Sequence, residues 1–155
     1  MDIIINIIAF LAAFAFMEAF AWFMHKYIMH GVGWFLHRSH HEPRHGRFEL
    51  NDLYAIIFAA PAIYLMYIGS PAYNWIFWVG TGISAYGLCY FGFHDVLVHR
   101  RMKHHMRPES KYMQRIIRAH KIHHKKLGRK DGEAFGFLFA LPKYDVKKTN
   151  ADNEE

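Results

Sequence analysis

One cysteine, Cys89, occurs in 155 residues. A disulfide framework, a thiolate zinc ribbon and an iron–sulfur cluster are therefore excluded. Charge is also missing over long stretches. Lysine and arginine are absent before Lys26 and again over residues 48–99, so all nineteen lie within 26–47 or 100–148. Residues 3–24 carry one acidic side chain, Glu18, and residues 53–68 and 72–93 carry no acidic or basic side chain. A mean hydropathy of −0.05 thus averages two unlike kinds of sequence and does not describe a soluble chain.

The first and third of these runs reach the roughly 20 apolar residues that a membrane helix needs. The second is shorter and needs a tilted or thinned bilayer, or extension into Asn51-Asp52. The expected fold class is all-α: an integral membrane protein with about three transmembrane helices, near 3–24, 53–68 and 72–93. Gly69-Ser70-Pro71 makes the turn between the last two. Because both basic stretches flank the same ends of these runs, the positive-inside rule puts 25–52 and 94–142 in the cytoplasm and the N-terminus outside. One membrane domain over 1–142 and a polar, frayed tail over 143–155 are expected. No basic n-region precedes the first apolar run, so the first helix is expected to be retained and not cleaved as a signal peptide. The net charge of +6 sits beside membrane spans, which favours lipid headgroups and an acidic protein over nucleic acid.

Ten of the thirteen histidines form two copies of one paired pattern, HxxxxH then HxxHH. His25 and His30 precede His37, His40 and His41; His94 and His99 precede His120, His123 and His124. Imidazole is the commonest metal-ligating side chain, and no hydrophobic core needs ten. In HxxHH the rings stand within about one turn on one helix face. In HxxxxH an ideal helix turns the two rings about 140° apart. Either a π-bulge brings them together or the helix ends between them, as Gly31 after His30 allows; the sequence leaves both open. Ten ligands exceed one ion's needs and suit two ions with five each, in a dinuclear centre built from pseudo-symmetric halves. All-imidazole ligation without cysteine argues against soft copper(I) and thiolate zinc, and iron is the expected metal. His45, His104 and His105 fall outside the repeat and are expected to be solvated.

The stretches His25-Lys-Tyr-Ile-Met-His30, Ser39-His-His-Glu-Pro-Arg44 with Gly46, Phe48-Glu49 and Asn51-Asp52-Leu53-Tyr54, His94-Asp95-Val-Leu-Val-His99 and Ala119-His-Lys-Ile-His-His124 resemble the bacterial β-carotene hydroxylases. Phe135-Gly-Phe-Leu-Phe139, near Pro142, resembles that family's C-terminal segment. The likeness runs through nearly the whole chain. It is more specific than the histidine motifs, which the wider fatty-acid hydroxylase and sterol desaturase superfamily shares. It implies a non-haem di-iron monooxygenase of the bacterial inner membrane that uses O2. The implied substrate is β-carotene, hydroxylated at carbon 3 of its β-ionone rings to β-cryptoxanthin and zeaxanthin. Two alternatives accompany this reading: a fatty-acid or sterol hydroxylase or desaturase, and a non-enzymatic membrane metal-binding protein.

Other residues bear on this chemistry. Glu18 lies seven residues before His25 on the same face, so it is a candidate partner of the site, a proton path, or a glutamate bonded to a neighbouring helix. Asp95, Asn51, Asp52 and Glu42 are candidates to orient imidazole N–H groups, or are caps and surface ions. Trp22, Phe23, Trp34, Phe35, Tyr86, Tyr90 and Phe91 are candidates to line a route for a carotenoid arriving through the bilayer, or simply pack and anchor the helices. The 134–141 segment is too short to span and is expected to pack under the metal site or enter the interface. Gly80-Thr-Gly-Ile-Ser-Ala85 spells a dinucleotide fingerprint but lies inside an apolar run, where small residues serve helix packing instead. No nucleotide, flavin or iron–sulfur motif is present, so electrons are expected from outside. An acidic ferredoxin with its reductase, docking on the basic 100–130 face, is the expected donor.

Overall fold

The computed structural model describes residues 2–43, 46 and 48–146. The described residues form helices and connections with no strand. Helix α1 (Asp2–Phe23) runs without a break into a π-helical segment, Met24–Val32. Helix α2 (Trp34–His41) is followed by a 3-10 turn, Leu50–Asp52, and by α3 (Leu53–Gly69). Helix α4 (Trp75–Tyr90) passes into a second π-helical segment, Phe91–Val98, and α5 (Lys111–His124) precedes a last 3-10 turn, Pro142–Tyr144.

Among the described residues, three helical stretches are long and apolar enough to cross a membrane: Asp2–Val32, Leu50–Gly69 and Trp75–Val98. Most of their apolar surface faces outward, as a lipid-solvated bundle requires. Ile3, Phe16, Ile56 and Leu88 are all exposed. The third span starts later than expected because Tyr73 adopts a left-handed φ of 45° and Asn74 caps α4, its side chain accepting from Ile76 N at 3.0 Å.

Helix α4 packs against both α1 and α3 and is the centre of the bundle. The two glycines of Gly80-Thr-Gly82 make this possible. A Cβ on Gly82 would meet Phe10 O at 2.5 Å, and one on Gly80 would meet Ala62 O at 2.7 Å. One glycine therefore admits the α1 backbone and the other the α3 backbone, which is how small residues act in membrane helices.

The C-terminal segment folds back on this bundle. Glu18 accepts the backbone N–H groups of Phe137, Leu138 and Phe139 at 3.0–3.1 Å and the Tyr86 hydroxyl at 2.7 Å. A carboxylate inside a span is thus satisfied by four donors, none of them a histidine. Tyr144 is buried, and Arg115 holds Asp145 through Nε at 2.5 Å. Residues 147–155 lie outside the described residues.

Candidate metal centre

His25 and His30 sit on the first π-helical segment and His94 on the second, which His99 caps. In the second, an i to i+5 bond joins the two motif positions themselves, His99 N donating to His94 O at 2.9 Å; in the first, Gly33 N donates to Ile28 O at 2.8 Å just beyond His30. Five residues then make about one turn, so the two rings of each motif share a face. Of the two geometries left open above, the π-turn is the one present. Gly31, with φ −105° and ψ −121°, adds a kink after His30 in the first copy. α2 and α5 carry the HxxHH motifs.

Among the described residues, ten imidazoles form two groups, and the donor atoms of each group lie within 4.8 Å of one another. The first group is His25, His30, His37, His41 and His123; the second is His40, His94, His99, His120 and His124. Each HxxxxH pair stays together, whereas each HxxHH divides. Its first and third histidines join the pair of their own half, and its middle one crosses to the other. Helical geometry explains this: i and i+4 lie about 40° apart, while i+3 lies about 100° from i+4.

The ring nitrogens are sorted by function. In the first group every Nδ1 faces an oxygen: His25 to Phe135 O at 3.0 Å, His30 to Arg129 O at 3.2 Å, His37 to Asn51 Oδ1 at 2.7 Å, His41 to Lys126 O at 3.0 Å and His123 to Glu133 O at 2.8 Å. In the second, His40 Nδ1 faces Glu49 Oε2 at 2.9 Å and His94 Nδ1 faces Asp95 Oδ1 at 3.1 Å. Donation from Nδ1 leaves Nε2 with a lone pair. These Nε2 atoms face one another: His25 and His37 at 3.1 Å, His30 and His123 at 3.2 Å, His40 and His94 at 3.0 Å. His124 Nε2 is buried with no hydrogen-bond partner.

Lone pairs converging at such distances repel unless a cation lies between them. Protons do not serve. Burial, reinforced by the neighbouring imidazoles, lowers His41 to about 4, His123 to about 3 and His37 to about 2, and holds His40 and His120 well below the ordinary histidine range. The donor set therefore suits divalent metal ions, iron among them.

Aromatic rings close the site. Phe137 stacks on His25 at 5.1 Å, Tyr90 stacks on His94 at 4.4 Å with its hydroxyl 3.4 Å from His94 Nε2, and Trp34 and Phe135 cover His30. The 134–141 segment thus packs on the histidines. Below it a cavity of about 440 Å³ extends between α1, α3 and α4. Asn51, Tyr90, Asp95 and Phe137 line its inner end, and Ala59, Ile63, Gly87 and Leu88 its outer end. Ile63 and Leu88 are exposed, so the cavity meets the lipid-facing surface.

Several sequence expectations change. Asn51 Oδ1 lies 2.7 Å from His37 Nδ1 and Asp95 Oδ1 3.1 Å from His94 Nδ1, whereas Asp52 accepts from Glu49 N at 2.9 Å and pairs with Arg101 at 2.7 Å. Glu42 pairs with Arg38 at the surface. Glu18 is a clamp on 137–139, one layer removed from His25. Of the proposed route aromatics, Tyr86, Tyr90 and Phe91 line the cavity; Trp22, Phe23 and Phe35 are exposed elsewhere and Trp34 covers the first histidine group. His104 bonds Val96 O and His105 is exposed, both outside the two groups, and His45 lies outside the described residues. Sequence reasoning missed Glu49 as the partner of His40, although the Glu49-x-x-Asp52 capping spacing was a readable signal. It also missed Arg101 and the backbone carbonyls at 126–135, which leave none.

A helical bundle with three candidate spans and ten inward-facing imidazoles at one end defines a histidine-rich membrane oxygenase architecture, and the chain belongs to the fatty acid hydroxylase family, whose model matches residues 10–145. Within that family its relatives are β-carotene hydroxylases. It is 49% identical over 133 residues to that of Pantoea ananas, covering 86% of this chain and 76% of the relative. Identity is 47% over 131 residues to that of Pseudescherichia vulneris, covering 84% and 74%. A third, from Paracoccus sp. (strain PC1), is 40% identical over 138 residues, covering 86% and 85%. No solved structure matches the chain.

Proposed function

We propose that the chain is an O2-dependent β-carotene 3-hydroxylase, converting β-carotene to β-cryptoxanthin and zeaxanthin. The observation that carries this reading is the pair of five-imidazole groups standing directly behind Asn51, Tyr90, Asp95 and Phe137, which line the inner end of an apolar, lipid-facing cavity. Relatives named β-carotene hydroxylase over most of the chain favour a carotenoid over a fatty acid or sterol.

His25, His30, His37, His41 and His123 would hold one iron and His40, His94, His99, His120 and His124 the other. Bound iron supplies the reductive activation of O2 needed to break an unactivated ring C–H bond. The chain's own residues do the rest. Seven of the ten outer nitrogens face fixed oxygens, so the Nε2 atoms of those rings are aimed before metal arrives. Phe135, Phe137 and Trp34 exclude water from the donor atoms. The cavity takes the apolar end ring from the bilayer and leads it to Tyr90 and Phe137, which stack on His94 and His25.

Both basic stretches lie at the histidine end of the spans, which supports a cytoplasmic site in a bacterial inner membrane and an outward N-terminus. Lys103, Arg107, Lys111, Lys121 and Lys125 are exposed there and suit an acidic ferredoxin, with its reductase, as electron source. Arg101 is not part of that face, being engaged by three carboxylates.

Expression in a β-carotene-producing host tests the reading. Chromatography of the pigments should show β-cryptoxanthin and zeaxanthin. Unchanged β-carotene beside ample membrane-inserted protein overturns it.

A further inference from the structure

The two imidazole groups differ in what stands behind them. All five outer nitrogens of the first group meet neutral oxygens: four backbone carbonyls and the Asn51 amide. Arg129 Nε also donates to His30 O at 3.0 Å, which brings a positive charge to this side. In the second group, His40 and His94 meet the carboxylates of Glu49 and Asp95. Arg101 joins both, at 3.2 Å each, to Asp52 at 2.7 Å. Three carboxylates against one guanidinium leave that wall formally negative.

An imidazole whose N–H donates to a carboxylate is more basic at its other nitrogen than one bonded to an amide carbonyl. Negative charge nearby further favours a bound cation, strongly so where water is excluded. Both effects act on the second group and neither on the first. We infer that the two metal positions are unequal: the position formed by His40, His94, His99, His120 and His124 holds its iron more tightly, through Glu49 and Asp95 acting as positioning residues tied by Arg101. This rests on the reading that both groups hold iron, and it assigns the difference to named side chains behind the ligands.

The test uses the full chain in detergent, loaded with iron-57 and challenged with excess ferrous chelator, with iron per chain followed in time. Release should be biphasic, one ion leaving at least about tenfold faster than the other. Asp95→Asn and Glu49→Gln should speed the slow phase by about 10–100-fold and leave the fast phase unchanged. Asn51→Asp, which gives His37 a carboxylate partner, should slow the fast phase; a gain of retention cannot come from misfolding. Mössbauer spectra of the loaded protein should show two distinct iron environments. Two equally labile ions overturn the inference while leaving the metal reading intact, as does a slow phase indifferent to Asp95→Asn and Glu49→Gln. A chain that takes up no iron overturns both.

Discussion

His41 and His124 stack ring on ring, 4.6 Å between centroids and 23° between planes, although they belong to different imidazole groups. The groups therefore share a wall, and neither is an isolated pocket. Each half of the chain also sends the middle histidine of its HxxHH motif, His40 or His123, to the other half's group.

That crossing makes a prediction which motif position alone does not. His40→Ala should cost the iron held with His94 and His99, and His123→Ala the iron held with His25 and His30. Each variant should bind about one iron per chain and lose hydroxylation at least about tenfold. Iron analysis of the purified variants, with spectra identifying the ion that remains, checks this. Loss of the ion from the mutated residue's own half would refute the assignment.

Acid should destabilise the metal-free protein. The ordinary histidine value is 6.5, and burial places His41 near 4, His123 near 3 and His37 near 2. Between those values and 6.5 the unfolded chain binds protons that the folded chain does not, so stability falls as pH falls through that window. The loss begins below about pH 6.5, continues past pH 4 and levels off once the folded-state values are passed. Thermal melts of iron-free protein at several pH values read this directly; a melting temperature flat from pH 7 to 4.5 contradicts it.

Filling the cavity should separate substrate access from metal binding. A Cβ on Gly87 meets nothing within 4 Å, and Gly87 lines the cavity, so Gly87→Leu adds bulk without backbone conflict. Iron content should stay at the wild-type level while β-carotene conversion drops at least tenfold, an order of magnitude typical for a misplaced substrate. Retained conversion would mean that the ring enters elsewhere.

Removing Glu18 should loosen the C-terminal segment before it touches the histidines. Glu18→Ala strands the N–H groups of Phe137, Leu138 and Phe139, and the one on the buried Phe137 costs about 1–3 kcal/mol when left unsatisfied. A lowered melting temperature and new proteolysis within 134–141 are expected. Glu18→Gln keeps a carbonyl acceptor and should fall between the two. Unchanged proteolysis in Glu18→Ala would show that the clamp is dispensable.

Much of this architecture was legible in the sequence. Charge-free runs marked the spans, because lipid leaves little latitude in composition, and the paired histidine spacing marked the metal-binding character. The division of the histidines was not legible. It depends on which face of α2 meets which face of α5, and that is settled by packing between helices distant in sequence. Nor did residues 126–135 advertise themselves, since they act through backbone carbonyls that every residue possesses. Glu18 was noticed for its charge in an apolar run, but a carboxylate's partners cannot be read when they are backbone amides more than a hundred positions away.

The turn at Gly69-Ser70-Pro71 divides the chain into two parts, each carrying four of the five histidines of its own group and one of the other's. A fragment ending there, or beginning there, would hold an incomplete set however well it folded. The reciprocal loan of His40 and His123 thus fastens the halves as two clasped hands are fastened, and maturation must wait until the last helix has been synthesised and docked.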